Sequence, residues 1–261
     1  MADRSRVGIV TGLVAEAETL PEGDFWIAVS GARPERAAQA ADAMVAGGVR
    51  LLVSYGFAAG LDPRLGPGDL VLPEAVIVHE GEVEEPNRGG VRDQLQRLTS
   101  FKRDSDFEPP PAPTDDDLMM ADAALREALG RELEEPDAGG IVAGVDRPLT
   151  NGSQKLALLA QTRARVADME SHVVARAAAA AGVPFVAIRV VSDPSNRAIP
   201  LAALAGLTDE GRVDGRAVAG TLLRRPWECI DMLTLALDGA QAMRRLRRVG
   251  RRAAPLLLAS L

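Results

Sequence analysis

Residues 166–194 read VADMESHVVARAAAAAGVPFVAIRVVSDP, and this stretch decides the fold class. The short apolar approach at Val166 opens an alanine-rich run, Ser171–Ala181, which predicts a helix that ends at Gly182. The β-branched run Phe185–Val191 then predicts a buried strand. The same alternation of strands and helices along the chain is typical of an α/β protein whose sheet is covered by helices on both faces.

Outside this stretch, short apolar runs and one clear helix extend the pattern. Pro34–Ala46 carries its alanines and Met44 on one face and closes with Gly47, so we expect a helix there. The other predicted strands are Val7–Val10, Trp26–Val29, Leu51–Ser54, Leu70–Val78 and Ile141–Ala143.

The chain is long enough for one sizeable core, and we expect one catalytic domain over residues 1–243. Within it, residues 80–113 are polar and proline-rich, which predicts a long excursion. Residues 244–261 form a predicted tail in which six arginines precede an apolar end. The tail fits contact with an anionic membrane surface, although a solvated helix end is the simpler alternative.

Charge and composition exclude several classes of protein. A formal net charge of −7 argues against a nucleic-acid partner. The lone Cys229 excludes an internal disulfide, and His79 and His172 are too few for a zinc cluster, so no metal is predicted. The start of the chain lacks a signal-peptide pattern, and no run of about 18 apolar residues occurs. We therefore expect a cytoplasmic protein that is at most membrane-peripheral.

Three acidic residues follow predicted strands, where ligands of α/β sheets bind. Glu170 begins a helix, where backbone N–H groups should keep it ionised and able to accept hydrogen bonds from the 2′- and 3′-hydroxyls of a ribose. Asp193 leaves the sheet as a candidate acid for the N7 atom of a departing purine. Glu16 follows the first strand as a candidate base. Each also has a purely structural alternative: a helix-start charge for Glu170 and Glu16, and an Asp-Pro turn for Asp193.

The strings around these acids together resemble the nucleoside phosphorylase family, which includes the methylthioadenosine/S-adenosylhomocysteine nucleosidases. They are VGIVTGLVAEAE, VSGARPERAAQAA, LLVSYGFAAGLDPRLGPGDLVLPEAVI, NGSQK, VADMES and GVPFVAIRVVSDPSN. The resemblance covers most of the chain, except the excursion and the end after about Gly239. It implies a three-layer α/β/α fold with a central mixed, twisted sheet, and a homo-oligomer that needs no cofactor.

The resemblance also implies roles for single residues. Glu16 aligns with the acid that activates water, Glu170 and Met169 with the residues that hold the sugar, and Asp193 with the group at N7, supported by Ser192. The base-binding residues that it implies are Leu149 and Thr150, through main-chain groups. Tyr55 and Phe57 are further candidates for the base site, and packing in the core is their alternative.

The glycine-rich loop, Ser54-Tyr55-Gly56-Phe57, departs from the family pattern because the usual phosphate-binding arginine and serine are replaced. A phosphate co-substrate would then depend on main-chain groups near Gly12 and Ser54, and on Arg33 or an arginine of a neighbouring subunit. Whether the nucleophile is phosphate, in a glycosyl transfer, or water, in a hydrolysis, stays open at this point.

A closer resemblance is to the hopanoid-associated phosphorylase branch, through SYGFAAGLDP, GVDRPLT, RVVSDPSNRAIP and LLRRPWECIDMLTLALDGAQAM. It implies a lipid-linked substrate, adenosylhopane, and release of adenine. Two alternatives remain: a purine nucleosidase that acts on small nucleosides such as methylthioadenosine, and a nucleoside-binding protein without catalysis.

Overall fold

The computed structural model of the protein describes residues 6–81, 83, 113–114, 117–135 and 138–260. In these residues the strands are β1 (Val7–Thr11), β2 (Phe25–Val29), β3 (Leu51–Gly60), β4 (Leu70–Val71), β5 (Ala75–His79), β6 (Leu118–Met120), β7 (Ile141–Val145), β8 (Val166–Asp168) and β9 (Phe185–Asp193). The helices are α1 (Val14–Ala17), α2 (Pro34–Ala46), α3 (Ala123–Leu133), α4 (Gly152–Thr162), α5 (Ser171–Ala181), α6 (Leu201–Gly206), α7 (Gly215–Arg224) and α8 (Cys229–Ala259).

The strands form one sheet in the order β2-β1-β3-β8-β7-β5-β6, and β9 pairs with both β3 and β4. β2, β1, β3 and β9 run parallel, as do β8, β7 and β5. The two groups meet at β3 and β8, which are antiparallel. The expected α/β fold with a mixed sheet is therefore confirmed, and the change of strand direction lies in its centre.

The two faces of the sheet carry different helices because side chains alternate along a strand. On one face, Val7, Val53 and Ile188 pack beneath α3 and α8. On the other face, Val10 and Leu52 pack against the alanine-rich sides of α2 and α5. The alanines of α5 allow this helix to approach α2 and the sheet closely. Its first turn lies beside the ends of β1 and β8.

The predicted elements agree with the structure, with differences at their ends. Helices Pro34–Ala46 and Ser171–Ala181 have the predicted bounds. The predicted strand Leu70–Val78 is two strands, because Pro73 lies between them and cannot donate to a β-ladder. β3 extends six residues beyond the predicted Ser54, to Gly60, because β9 pairs with it as far as Ala59 and β8 pairs with Ala59 and Gly60.

The expected tail at residues 244–261 is not a separate segment. It is the second half of α8, and this half contributes to the core beneath the sheet. The buried residues of α8 are Ala242, Leu246, Val249, Gly250, Ala253, Ala254 and Leu257. The arginines between them alternate with this buried stripe, so most of its apolar surface packs on the protein, while Leu258 is 38% exposed.

A group of strongly exposed apolar side chains lies in the first half of α8 and just before it. Leu223, Trp227, Ile230, Leu233 and Leu237 are each more than 60% exposed. Among the described helices, none combines the length and hydropathy of a membrane-spanning segment. Most of the predicted polar excursion at 80–113 lies outside the described residues.

Candidate active site

The candidate site lies over the middle of β3, where the direction of the sheet changes. β1 approaches from one side and ends at Thr11, beyond the pair Val10 and Ser54. β8 comes from the opposite direction along the same edge of β3, antiparallel to it, and ends at Asp168, while β9 occupies the other edge. The carboxyl ends of β1 and β8 therefore face each other along this edge of β3. This arrangement brings the segments that follow them, with Glu16 and Glu170, to one place.

Glu16 is held by main-chain donors from two parts of the chain. Its side chain is buried, the N–H of Leu13 donates to Oε2 at 2.7 Å, and the N–H of Phe57 donates to Oε1 at 2.7 Å. Burial raises the pKa of the Glu16 carboxyl, while these N–H groups and the charge of Arg189 oppose the rise. The result is a fixed, desolvated carboxyl group, which suits a general base.

Two glycines allow the acids to approach the main chain. A Cβ atom at Gly56 would lie 2.5 Å from Oε1 of Glu16, and the φ angle of 153° is itself one that favours glycine. A Cβ atom at Gly12 would lie 3.0 Å from Oε1 of Glu170 and 3.4 Å from Oε2 of Glu16. The two carboxyl groups thus converge on the space beside Gly12.

Glu170 is buried at the start of α5 and accepts a hydrogen bond from the hydroxyl of Ser30 at 3.1 Å. Burial, with the negative charges of Asp168 and Glu16, raises the pKa of Glu170 to about 7 against the opposing charge of Arg189. Glu170 therefore binds a proton more readily than an ordinary glutamate does.

The structure corrects the expectation that backbone N–H groups of the first turn of the helix hold the Glu170 carboxylate. The side chain of Glu170 makes no capping hydrogen bond. The N–H groups of Glu170 and Ser171 donate instead to Oδ1 of Asp168, at 3.2 and 2.9 Å. Asp168, and not Glu170, therefore accepts the backbone N–H groups at the start of α5, because its side chain lies two residues earlier, at the end of β8.

Arg189 is a site residue that the sequence reasoning missed. Its side chain is buried, Nε lies 2.5 Å from Oδ2 of Asp168, and the guanidinium also donates to the hydroxyls of Ser54 and Ser171. Its charge acts on Glu16 and Glu170. The signal was a charged residue inside the apolar run Phe185–Val191, because a charge at such a position needs a buried partner.

Asp193 ends β9 beside Ala59 of β3, and both of its carboxyl oxygens have donors. The hydroxyl of Ser192 donates to Oδ1 at 2.6 Å, as expected of a supporting residue, and Nζ of Lys155 donates to Oδ2 at 2.6 Å. Burial raises the pKa of Asp193, while Lys155 and Ser192 lower it. The sequence reasoning did not identify Lys155.

The structure places the Tyr55 side chain in the core, which corrects its expected base-binding role and agrees with the core-packing alternative. The Tyr55 ring lies in the core beneath α8, where its hydroxyl donates to the carbonyl of Leu246 at 2.8 Å and bonds with Thr19 at 2.7 Å. The Phe57 side chain packs against the same core. Phe57 contributes to the site through its main chain, whose N–H contacts Glu16.

The structure shows which protein groups surround the other residues that we expected to contact the substrate. Leu149 lies in a core cluster, against which Met169 packs its partly buried side chain. The N–H of Thr150 donates to Gln154 at 2.8 Å, and its carbonyl accepts from Ile199 at 2.9 Å. The main chain of Thr150 is thus already hydrogen-bonded, whereas contact of Met169 with a sugar stays a prediction.

Of the three expected phosphate-binding residues, Gly12 lies next to Glu16 and Glu170, as described above. Ser54 is buried behind the carboxyl groups, where it accepts from Arg189. Arg33 pairs with Asp209, whose turn also packs against Gly31. Two acids face the space beside Gly12 and the nearest buried cation is paired with Asp168, so this space disfavours a phosphate dianion.

A model of the phosphorylase superfamily matches residues 9–217, which include Glu16, Glu170, Arg189 and Asp193. The chain belongs to this superfamily. The expected enzyme family is therefore confirmed, and the motif series that runs from β1 to the turn after β9 carries it.

Solved structures of the superfamily share this fold at low sequence identity. Futalosine hydrolase of Helicobacter pylori superposes with a TM-score of 0.61 and 16% identity over 99% of each chain. A methylthioadenosine/S-adenosylhomocysteine nucleosidase from Neisseria meningitidis, in complex with methylthio-immucillin-A, gives 0.61 and 14% over 98% of this chain and 100% of that one. One from Colwellia psychrerythraea, in complex with adenine, gives 0.55 and 19% over 95% and 98%.

Proposed function

We propose that the protein hydrolyses the N-glycosidic bond of a 5′-modified adenosine and releases adenine. The observation that carries this proposal is the convergence of Glu16 and Glu170 beside Gly12, with Asp193 at the end of the neighbouring strand β9. Cleavage of such a bond needs an acid at the leaving base and a base at the nucleophile. The buried carboxyl groups supply both.

In the proposed reaction, Glu16 takes a proton from a water molecule whose oxygen forms the new bond to C1′. The bond between C1′ and N9 breaks, and its electron pair moves into the purine ring. Asp193 gives a proton to N7, so the base leaves as neutral adenine. The proton on Glu16 returns to Asp193 through solvent before the next turnover.

Glu170 and Met169 hold the ribose in this proposal. The ionised form of Glu170 accepts hydrogen bonds from the 2′- and 3′-hydroxyls, and Met169 packs on the sugar. Bringing hydroxyl donors to a buried carboxylate favours its charged form, so substrate binding lowers the pKa of Glu170 from the value of about 7 in the free protein.

Water is favoured over phosphate as the nucleophile because of the charges around Gly12. A phosphate placed there would meet Glu16 and Glu170, and the cation of Arg189 is already paired with Asp168 at 2.5 Å. Arg33, the other expected cation, pairs with Asp209. A neutral water molecule avoids the repulsion and is activated by the carboxyl group of Glu16.

The proposed substrate is adenosylhopane, which the resemblance to the hopanoid-associated branch indicates. Support for a lipid-linked nucleoside comes from the exposed apolar side chains between Leu223 and Leu237. The C-terminal tail adds little support, because most of its apolar residues are buried in the core. Small nucleosides such as methylthioadenosine and S-adenosylhomocysteine are the second candidate substrates.

The experiment measures adenine release from adenosylhopane, methylthioadenosine and S-adenosylhomocysteine, each with and without phosphate. We expect release that does not depend on phosphate and that falls by about 10²- to 10⁴-fold in Glu16→Gln. A strict requirement for phosphate would overturn hydrolysis. Turnover of the small nucleosides alone would overturn the hopanoid assignment.

A control separates catalysis from mere binding. Adenine binding by calorimetry should persist in Glu16→Gln, because this carboxyl group acts on the nucleophile and not on the base. If adenine binds to the protein but none of these nucleosides is cleaved, the protein is a nucleoside-binding protein and the enzymatic proposal fails.

A further inference from the structure

Lys155 is a fully buried lysine in the second turn of α4, and its ammonium group points into the turn that follows β9. Nζ lies 2.6 Å from Oδ2 of Asp193, 2.9 Å from the carbonyl of Pro194 and 3.0 Å from the carbonyl of Arg197. The carbonyl of Asp193 is also within reach, at 3.3 Å. The ammonium group thus contacts the start, middle and end of residues 193–197.

An ammonium has three protons, and here it faces four oxygen atoms. All of its hydrogen-bonding capacity is therefore committed to residues 193–197. A buried charge of this kind is tolerated because it is paired and hydrogen-bonded, and the carboxylate of Asp193 is its ionic partner. The pair leaves Asp193 no freedom to rotate, since Ser192 holds the other carboxyl oxygen.

We propose that Lys155 is a positioning residue for Asp193: its ammonium fixes the carboxyl group through Oδ2 and sets the pH range in which Oδ1 can carry a proton to the leaving base. This inference rests on the proposed function, because it takes Asp193 to be the general acid. Lys155 itself does not touch the substrate and acts through Asp193.

The expected direction follows from the charges that face Asp193. Burial raises the pKa of Asp193 and Lys155 is the main opposing influence, while Asp238, on α8, raises it further. Arg197 pairs with Asp238 at 2.8 Å. Removal of the Lys155 charge should therefore raise the pKa of Asp193, and the protonated acid should persist to higher pH.

A purely structural role for Lys155 is the competing explanation, because the same ammonium also ties down Pro194 and Arg197. The chain offers a matched control for this explanation. Asp238→Asn removes the ion pair that ties Arg197 to α8 and so loosens the same turn, but it leaves the contact between Lys155 and Asp193 in place. It also removes a negative charge, so any direct effect on the pKa of Asp193 is downward.

The test is a carbon NMR titration of the protein labelled with ¹³C at the aspartate carboxyl groups, with Asp193→Asn to assign the signal of Asp193. We expect the midpoint of Asp193 to rise by about one pH unit or more in Lys155→Gln. It should stay near the wild-type value in Lys155→Arg, which keeps the charge, and should not rise in Asp238→Asn. Thermal melts show which variants are folded.

The same variants are assayed for adenine release against pH. In Lys155→Gln the alkaline limb of kcat should move upward with the NMR midpoint, and kcat should fall more than KM changes. An unshifted midpoint in Lys155→Gln, or an equal rise in Asp238→Asn, overturns the inference. If Lys155→Gln does not fold, a raised midpoint in Lys155→Arg overturns it and an unchanged one supports it.

The two proposals fail separately. If the wild-type protein releases no adenine from any nucleoside, the proposed function fails, yet the NMR midpoints still decide whether the Lys155 charge controls Asp193. If adenine is released and the midpoints do not move, the function stands and Lys155 is a structural tether only.

Discussion

At the two ends of the site, the buried carboxyl groups have different kinds of hydrogen-bond donor. At Gly12, Glu16 and Glu170 are bound by neutral donors, namely backbone N–H groups and the hydroxyl of Ser30. At the end of β9, Asp193 is bound directly by the ammonium of Lys155. Burial raises the pKa in all three cases, but only Asp193 has a cation in contact to oppose it.

The difference teaches how one small site can hold acids with separate tasks. The carboxyl groups beside Gly12 share Arg189 at a distance, and this arginine is already paired with Asp168. Asp193 has its own cation and a fixed orientation. Acids with such different partners are suited to different steps of an acid and base mechanism.

Among the variants that test this difference between the two ends of the site, Asp193→Asn is expected to have the largest effect. The amide keeps the shape but has no acidic proton for N7, so kcat for adenine release should fall by about 10²- to 10⁴-fold. The assay measures adenine by its absorbance after chromatography. Asp146→Asn, at an exposed carboxyl group, serves as the control, and a variant Asp193→Asn with more than a tenth of wild-type activity would contradict the acid role.

Arg189→Met tests the charge balance at the other end of the site. It leaves Asp168 buried without its cation, so the free energy of unfolding should fall by about 3–5 kcal/mol. Urea denaturation measures the change. Arg197→Met breaks a partly exposed pair with Asp238 and should lower the free energy of unfolding by only about 0–1 kcal/mol. Equal losses in the two variants would show that burial of the pair between Arg189 and Asp168 does not increase its contribution to stability.

The pH dependence of stability sharpens the comparison. The pKa of Glu170 is about 7 in the folded protein and about 4.3 in an unfolded chain. Relative to Glu170→Gln, the wild-type protein should therefore lose stability as pH rises from about 4.3 through 7, by about 1.4 kcal/mol per pH unit at most. Urea midpoints at several pH values measure this, and a difference that is flat across the range would contradict the raised pKa.

The smallest expected effect comes from Gly56→Ala, which adds a methyl group against Oε1 of Glu16. The clash at 2.5 Å and the φ angle of 153° should together cost about 1–3 kcal/mol of stability and displace the carboxyl group. Gly239→Ala, in α8 with open space around its Cβ position, should not destabilise the protein. If the two changes behave alike in thermal melts, Glu16 does not depend on the close approach at Gly56.

Much of the fold could be predicted from the sequence because periodic patterns are local. The bounds of α2 and α5 follow from an alanine-rich face with a proline at the start of α2 and a glycine after each helix. The three acids could be named because each follows a strand. The last six residues of β3 could not be predicted, since their strand conformation depends on β8 and β9 as partners and not on their own composition.

The sequence by itself determined the α/β class and the superfamily, and it named Glu16, Glu170 and Asp193 as candidate site residues, because these depend on the order of short motifs along the chain. The tertiary structure alone decided that β8 runs antiparallel to β3, and so that the site lies over the middle of a strand. It also decided the charge partners of the acids. Lys155 and Asp193 are 38 residues apart and Glu16 and Phe57 are 41 apart. Contacts at such separations are set by the packing of whole elements, which no local pattern encodes.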